Sequence, residues 1–213
     1  MKGRQLALLT QARTYRSMAA LALLAAALPL APDGRDEWQQ PERVIADLAL
    51  KPGAAVADIG CGSGYFTFPI ARAVGATGKV FAVDIDEKAV KEVEERAGRQ
   101  GAPHVRAIHS EPTDTKLAAA SVDVALLCDV LHHVPRDQRL PLVRDIVRAL
   151  KPAGYLFIID WRKSRDVPFD PYEVLIPRDD LLKLAEDAGL SLDAEFHYLK
   201  YQVFLRFRKP PKP

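Results

Sequence analysis

Two cysteines and two methionines among 213 residues are the first thing to notice about this chain. Two cysteines cannot complete a metal site by themselves, and they give no disulfide framework. Cys61 and Cys128 therefore read as small buried apolar residues, with a bridge between them open only in an oxidising compartment. No apolar run is long enough for a comfortable membrane span of about 20 residues. The longest, 18–31, is short and follows a basic stretch. No internal repeat is present. A strong charge of either sign is also missing, since the formal net charge is +2. Lys2, Arg4, Arg13 and Arg16 precede the first acid, Asp33, so the remaining 26 basic residues face 28 acidic ones. A nearly neutral body argues against a broad nucleic-acid footprint.

About half of the residues are apolar, enough for one substantial core and too few residues for a second large domain. The basic start and the apolar stretch 18–31 form a signal-like or membrane-tethering leader over 1–31, with Ala25, Ala26 and Ala27 offering a small-residue cleavage site. The end, 209–213, is a basic, proline-rich tail.

Between them the pattern alternates. A helix is predicted over 41–50 with Pro41 in its first turn, stopped by Lys51, Pro52 and Gly53. Strands are predicted at 54–59, 79–84, 104–109 and 123–128, and helices at 65–74 and 86–97. Pro69 is tolerable only near the start of the first of these helices. The run 123–128 is apolar almost throughout, as in a strand buried on both faces. Strands alternating with helices imply a parallel sheet. After a polar loop over about 161–176, a helix at 178–188 closed by Gly189 is followed by two strands, 192–199 and 201–207, that suit an antiparallel pair.

The segment VADIGCGSGYFT (56–67) places Asp58 on an apolar strand that runs into Gly60, Gly62 and Gly64. Glycines permit a sharp turn and the close approach of a ligand to bare backbone, and the next helix points free N–H groups at that ligand. A dinucleotide fingerprint would put the third glycine where this chain has Tyr65. About 20 residues on, KVFAVD (79–84) ends in Asp84, a carboxylate placed to accept bonds from the two ribose hydroxyls of an adenosine. Asp86 is the better N-cap for the helix that follows.

With FAVDID (81–86), SVDVALLCDVLHHV (121–134) and LKPAGYLFIID (150–160), these blocks resemble the class I S-adenosylmethionine-dependent methyltransferases, in the small-molecule branch that contains the ubiquinone and menaquinone methyltransferases. The resemblance covers about 37–208. It implies an α/β fold: a Rossmann-like, doubly wound, seven-stranded sheet, mostly parallel with an antiparallel last strand. It implies S-adenosyl-L-methionine as cofactor, with Asp58, Gly60, Cys61, Gly62 and Gly64 around the methionine portion and Asp84 with Ile85 at the ribose. Glu111, after Ser110, corresponds to the place where relatives often carry Gly-Asp near the adenine amine. Glu and the adjacent Pro112 depart from that pattern.

In this family the methyl group leaves a sulfonium by in-line displacement, and the enzyme contributes mainly positioning. No metal is required. Asp129 either touches the methionine amino group, lines the substrate cavity, or caps the next loop. His132 and His133 follow it, and a neutral histidine there can act as general base toward a hydroxyl or an acidic carbon. His133 is preferred by its similarity to the family pattern, with Asp129 as its companion in a catalytic pair. Asp160 is expected to point into the same crevice. Trp38 reads either as part of a water-excluding cover or as packing, and Tyr172 and Tyr201 as residues near the acceptor.

The resemblance implies a methyltransferase acting on a small-molecule or lipid-like acceptor, with no nucleic-acid partner and with membrane association through the leader. The leader favours export or tethering, whereas S-adenosylmethionine is made in the cytosol. Two other readings stay open: a catalytically silent S-adenosylmethionine-binding protein, and a nicotinamide-dependent oxidoreductase, against which the glycine spacing counts.

Overall fold

The computed structural model describes residues 34–167 and 172–211. The leader expected over 1–31 lies outside the described residues. Seven strands form one sheet: β1 (Ala55–Ile59), β2 (Lys79–Asp84), β3 (Val105–His109), β4 (Val122–Cys128), β5 (Leu150–Trp161), β6 (Ser191–Phe196) and β7 (Gln202–Arg208). Their order is β3-β2-β1-β4-β5-β7-β6. The pairs from β3 across to β5 are parallel, and β7 runs antiparallel to both β5 and β6. This is the doubly wound α/β sheet with a reversed last strand that the sequence led us to expect. The order in which strands are added reverses between β1 and β4, which opens a crevice above their carboxyl ends.

The helices are α1 (Asp36–Gln39), α2 (Pro41–Asp47), α3 (Thr67–Val74), α4 (Glu87–Arg99), α5 (Arg136–Ala149) and α6 (Arg178–Asp187). Pro69 is the third residue of α3, where its missing N–H costs nothing. Asp86 caps α4 by accepting the Lys88 N–H at 2.9 Å. Helix α5 is the element that sequence patterning did not reveal. It carries Pro141 inside a run in which six of 14 residues are charged.

Two apolar layers cover the sheet. One packs α5 and α6 against Ile59, Leu127 and Ile158, and the other packs α2, α3 and α4 against Val56, Leu126 and Ile159. Ile158 and Ile159 point to opposite faces and are both fully buried, as alternation along a strand dictates. Each such side chain contributes about 1.5–3 kcal/mol of burial. Cys61, buried in the turn after β1, and Cys128, half-buried at the end of β4, are not joined by a disulfide.

Candidate functional site

The glycine turn leaves β1 and lies against the end of β2, where the Gly60 and Cys61 N–H groups both donate to the Val83 carbonyl, at 2.7 and 3.1 Å. The glycines serve different ends. A Cβ on Gly60 would fall 2.4 Å from Val130 Cγ2, so this residue is needed for the loop after β4 to close onto the turn. Gly62, at φ +51°, meets nothing within 4 Å and faces open space. Asp58 is 3 % exposed and accepts the Thr67 hydroxyl at 2.6 Å, which fastens the first residue of α3 to β1. Thr67 was not singled out from sequence, and its distance of nine residues from Asp58 becomes a contact only once the turn has folded. Burial pushes the Cys61 thiol up, and the Asp58 and Asp84 carboxylates add to that rise.

Asp84 ends β2 with its carboxylate half-buried at the crevice. One oxygen accepts the Gly62 N–H at 2.8 Å and the other the Asp86 N–H at 3.0 Å. A carboxylate offers about four lone-pair positions, so two remain for a ligand. Ile85 beside it is 59 % exposed, a large apolar side chain left uncovered at the mouth. The exposed Glu111 forms a small bridge with Asp114 just past β3, and its carboxylate lies 3.9 Å from Lys116 Nζ. Bare backbone at Gly62, the spare acceptors of Asp84 and the apolar surface of Ile85 together fit a ligand with a polar sugar and a flat base, such as an adenosyl group.

Asp129 follows β4 in a left-handed conformation, φ +58°, a placement that Asp tolerates better than most residues. Its side chain accepts the Gln202 amide at 2.5 Å, and Gln202 exchanges two further bonds with Gln39, at 3.1 and 3.3 Å. Both glutamines are buried, so this chain of amides fixes the Asp129 carboxylate from β7 and α1. Neither glutamine was named as functional from the sequence.

The histidine pair divides. His132 is buried, with Nδ1 2.6 Å from Asp160 Oδ1, and both side chains are fully enclosed. Asp160, expected to face the crevice, instead turns into the layer beneath α5 because that position on β5 belongs to the inner face. Its Oδ1 also accepts the Trp161 N–H at 2.8 Å, so the proton toward the ring sits on His132 Nδ1. His133 is exposed and packs against His132 with ring centroids 3.9 Å apart and the planes inclined by 49°. Trp38 packs on Trp161 at a centroid distance of 5.0 Å, in a small apolar cluster with Val167, Leu175 and Tyr201. Tyr172 lines a separate cleft at the end of β5.

Residues 56–154 match the family described as methyltransferase domain. A 2-phytyl-1,4-naphtoquinone methyltransferase from Trichormus variabilis is 27 % identical over 153 residues, covering 68 % of this chain and 66 % of the relative. A demethylmenaquinone methyltransferase from Staphylococcus aureus is 26 % identical over 58 % of this chain and 48 % of its own length. The chain thus spans about half to two thirds of the curated relatives it matches. The crystal structure of an S-adenosylmethionine-dependent methyltransferase from Aquifex aeolicus superposes with a TM-score of 0.77 at 28 % identity, over 83 % of this chain and 93 % of that one.

Proposed function

We propose that this chain, similar over 56–154 to the methyltransferase domain family and over most of its length to an S-adenosylmethionine-dependent methyltransferase, belongs to the class I branch and transfers the methyl group of S-adenosylmethionine to a small-molecule acceptor with a quinone-type ring. The observation that carries this reading is the bond from Gly62 N–H to Asp84, which joins the bare turn of β1 to the acid of β2 and leaves two acceptor positions facing outward. When bound, the cofactor supplies an electrophilic methyl on a sulfonium. Asp84 holds the ribose hydroxyls and Ile85 covers the adjoining base. Gly62 admits the methionine portion, because any side chain there would occupy its space. Asp129, held by Gln202 and Gln39, lies next to Val130, which rests on Gly60, and so sets its carboxylate beside that portion. His132, with its tautomer fixed by Asp160, orients the His133 ring packed against it for proton removal from the acceptor. Positioning of the two reactants accounts for most of the catalysis asked of such a site. The quinone-type acceptor is supported by the names of the curated relatives.

Purified protein should bind S-adenosylhomocysteine in calorimetry and ignore NAD. With radiolabelled cofactor it should label a component of a quinone and lipid extract. Cofactor binding with no label in any fraction would favour a silent binding protein, and NAD binding alone would favour the oxidoreductase.

A further inference from the structure

Past the carboxyl end of β5 lies a cleft of about 770 Å³ whose lining includes Arg162, Lys163, Tyr172, Arg178, Phe196 and Gln202. This is the size of a small-molecule site. Gln202 forms part of its wall and donates to Asp129 at 2.5 Å, so the cleft opens next to the end of β4, where the methyl group is placed by the reading above. Its apolar surface comes from Tyr172, Phe196, Leu199 and Val203.

The three cations in the wall are not equivalent. Arg178 is taken up by Glu195, with contacts of 2.9 and 2.5 Å, and Arg162 by Asp166 at 3.0 Å. The Lys163 ammonium instead donates to two backbone carbonyls, those of Leu175 at 2.8 Å and Tyr172 at 3.3 Å. It also stands 4.7 Å from the centroid of the Tyr172 ring. Among the described residues no carboxylate pairs with it. Carbonyl dipoles and an aromatic face fix an ammonium in place without cancelling its charge, and an ammonium has three donors, of which two are used here. The Lys163 ammonium, with its spare donor, therefore stands over the Tyr172 ring, with the Arg165 guanidinium 4.9 Å from the same centroid.

We propose that this cleft is the acceptor site and that Lys163 selects acceptors in which a carboxylate is attached to a flat apolar ring. The inference rests on the methyltransferase reading and narrows it: the ring lies along Tyr172 and Phe196, and the carboxylate takes the third Lys163 donor. An uncharged quinone carbonyl can accept one bond from that ammonium but does not pair its charge, so the preferred acceptor is a carboxylated form of such a ring.

The test is a pair of probes, 1-hydroxy-2-naphthoate and 1-naphthol, titrated against the full chain by tryptophan quenching with and without S-adenosylhomocysteine. The naphthoate should bind about tenfold more tightly, as expected for one charge-assisted bond in a partly enclosed site. Lys163→Met should remove that preference while 1-naphthol affinity stays unchanged, and Lys163→Arg should keep most of it. Equal binding of the two probes by the wild type, or a preference that survives Lys163→Met, overturns the proposal. Because Lys163 also holds the backbone at 172–175, a misfolded Met variant is covered by a second measurement on the wild type. The preference should shrink as salt rises from about 20 to 300 mM, and a salt-independent preference overturns it equally. Absence of S-adenosylhomocysteine binding removes the methyltransferase reading and this inference with it, whereas its presence without a carboxylate preference removes only this inference.

Discussion

Asp84 accepts the Gly62 and Asp86 N–H groups with its two oxygens, and under the proposed reading the same carboxylate also holds the ribose. Asp84→Ala removes the ribose acceptors, worth about 1–3 kcal/mol, and releases the Gly62 N–H that fixes the turn. Affinity for S-adenosylhomocysteine should fall about 10- to 100-fold in calorimetry while the far-UV spectrum stays unchanged, and an unaltered Kd would take the ribose from Asp84. The position of Asp84 was legible because a buried strand ending in an acid has a fixed spacing from the glycines. Its grip on Gly62 was not, because a bond across 22 residues exists only after β1 and β2 have paired. The histidines illustrate the same limit. Similarity to the family pattern favours His133, yet it is His132 that turns inward to Asp160, and nothing in two adjacent identical residues tells which side of a turn each will occupy.

Strands β1, β4 and β5 are fastened at the edge away from the crevice by Asp123, which accepts the Ala55 N–H at 2.8 Å and pairs with Lys151 at 2.8 Å. Burial pushes its carboxyl up, but the bonds from Lys151 and Ala55 outweigh that and hold it below the ordinary range. Glu195, held by Arg178 between α6 and β6, is lowered in the same direction. A depressed carboxylate stabilises the fold above its unfolded value and loses that contribution as pH falls through its folded value. Urea midpoints should therefore be flat from neutrality down to about pH 5 and decline below about pH 4. In Asp123→Asn that decline should be shallower, with about 1 kcal/mol already lost at pH 7, a modest figure because Asp123 is partly exposed. An acid limb of identical slope in wild type and variant would show that Asp123 carries none of it. At this scale the sequence spoke clearly for β1, β2 and β4, whose apolar runs suit strands buried on both faces. It was silent on α5, where the charged residues and Pro141 blur the helical stripe, although Leu142, Val143 and Ile146 still reach the core.

Across the whole molecule, the ends of β1, β2 and β4 meet at the centre of the sheet, so a ligand held there acts on the cooperative core and not on a peripheral loop. Anything that binds only the folded state adds RT ln(1 + [L]/Kd), about 2.7 kcal/mol at a hundredfold excess over Kd. For a chain of this length that corresponds to roughly 5–10 °C in Tm. S-adenosylhomocysteine should produce such a shift and NAD none. Gly62→Val is the decisive control, because a Cβ at this position meets nothing within 4 Å. The cost to the empty fold is confined to the left-handed backbone at φ +51°, about 1–3 kcal/mol. The variant should thus melt somewhat earlier than the wild type, still in one transition, and show no shift with the ligand. A ligand-induced rise of wild-type size in Gly62→Val would mean that the adenosyl group sits elsewhere, because a valine at the bare turn and a methionine portion cannot occupy the same volume.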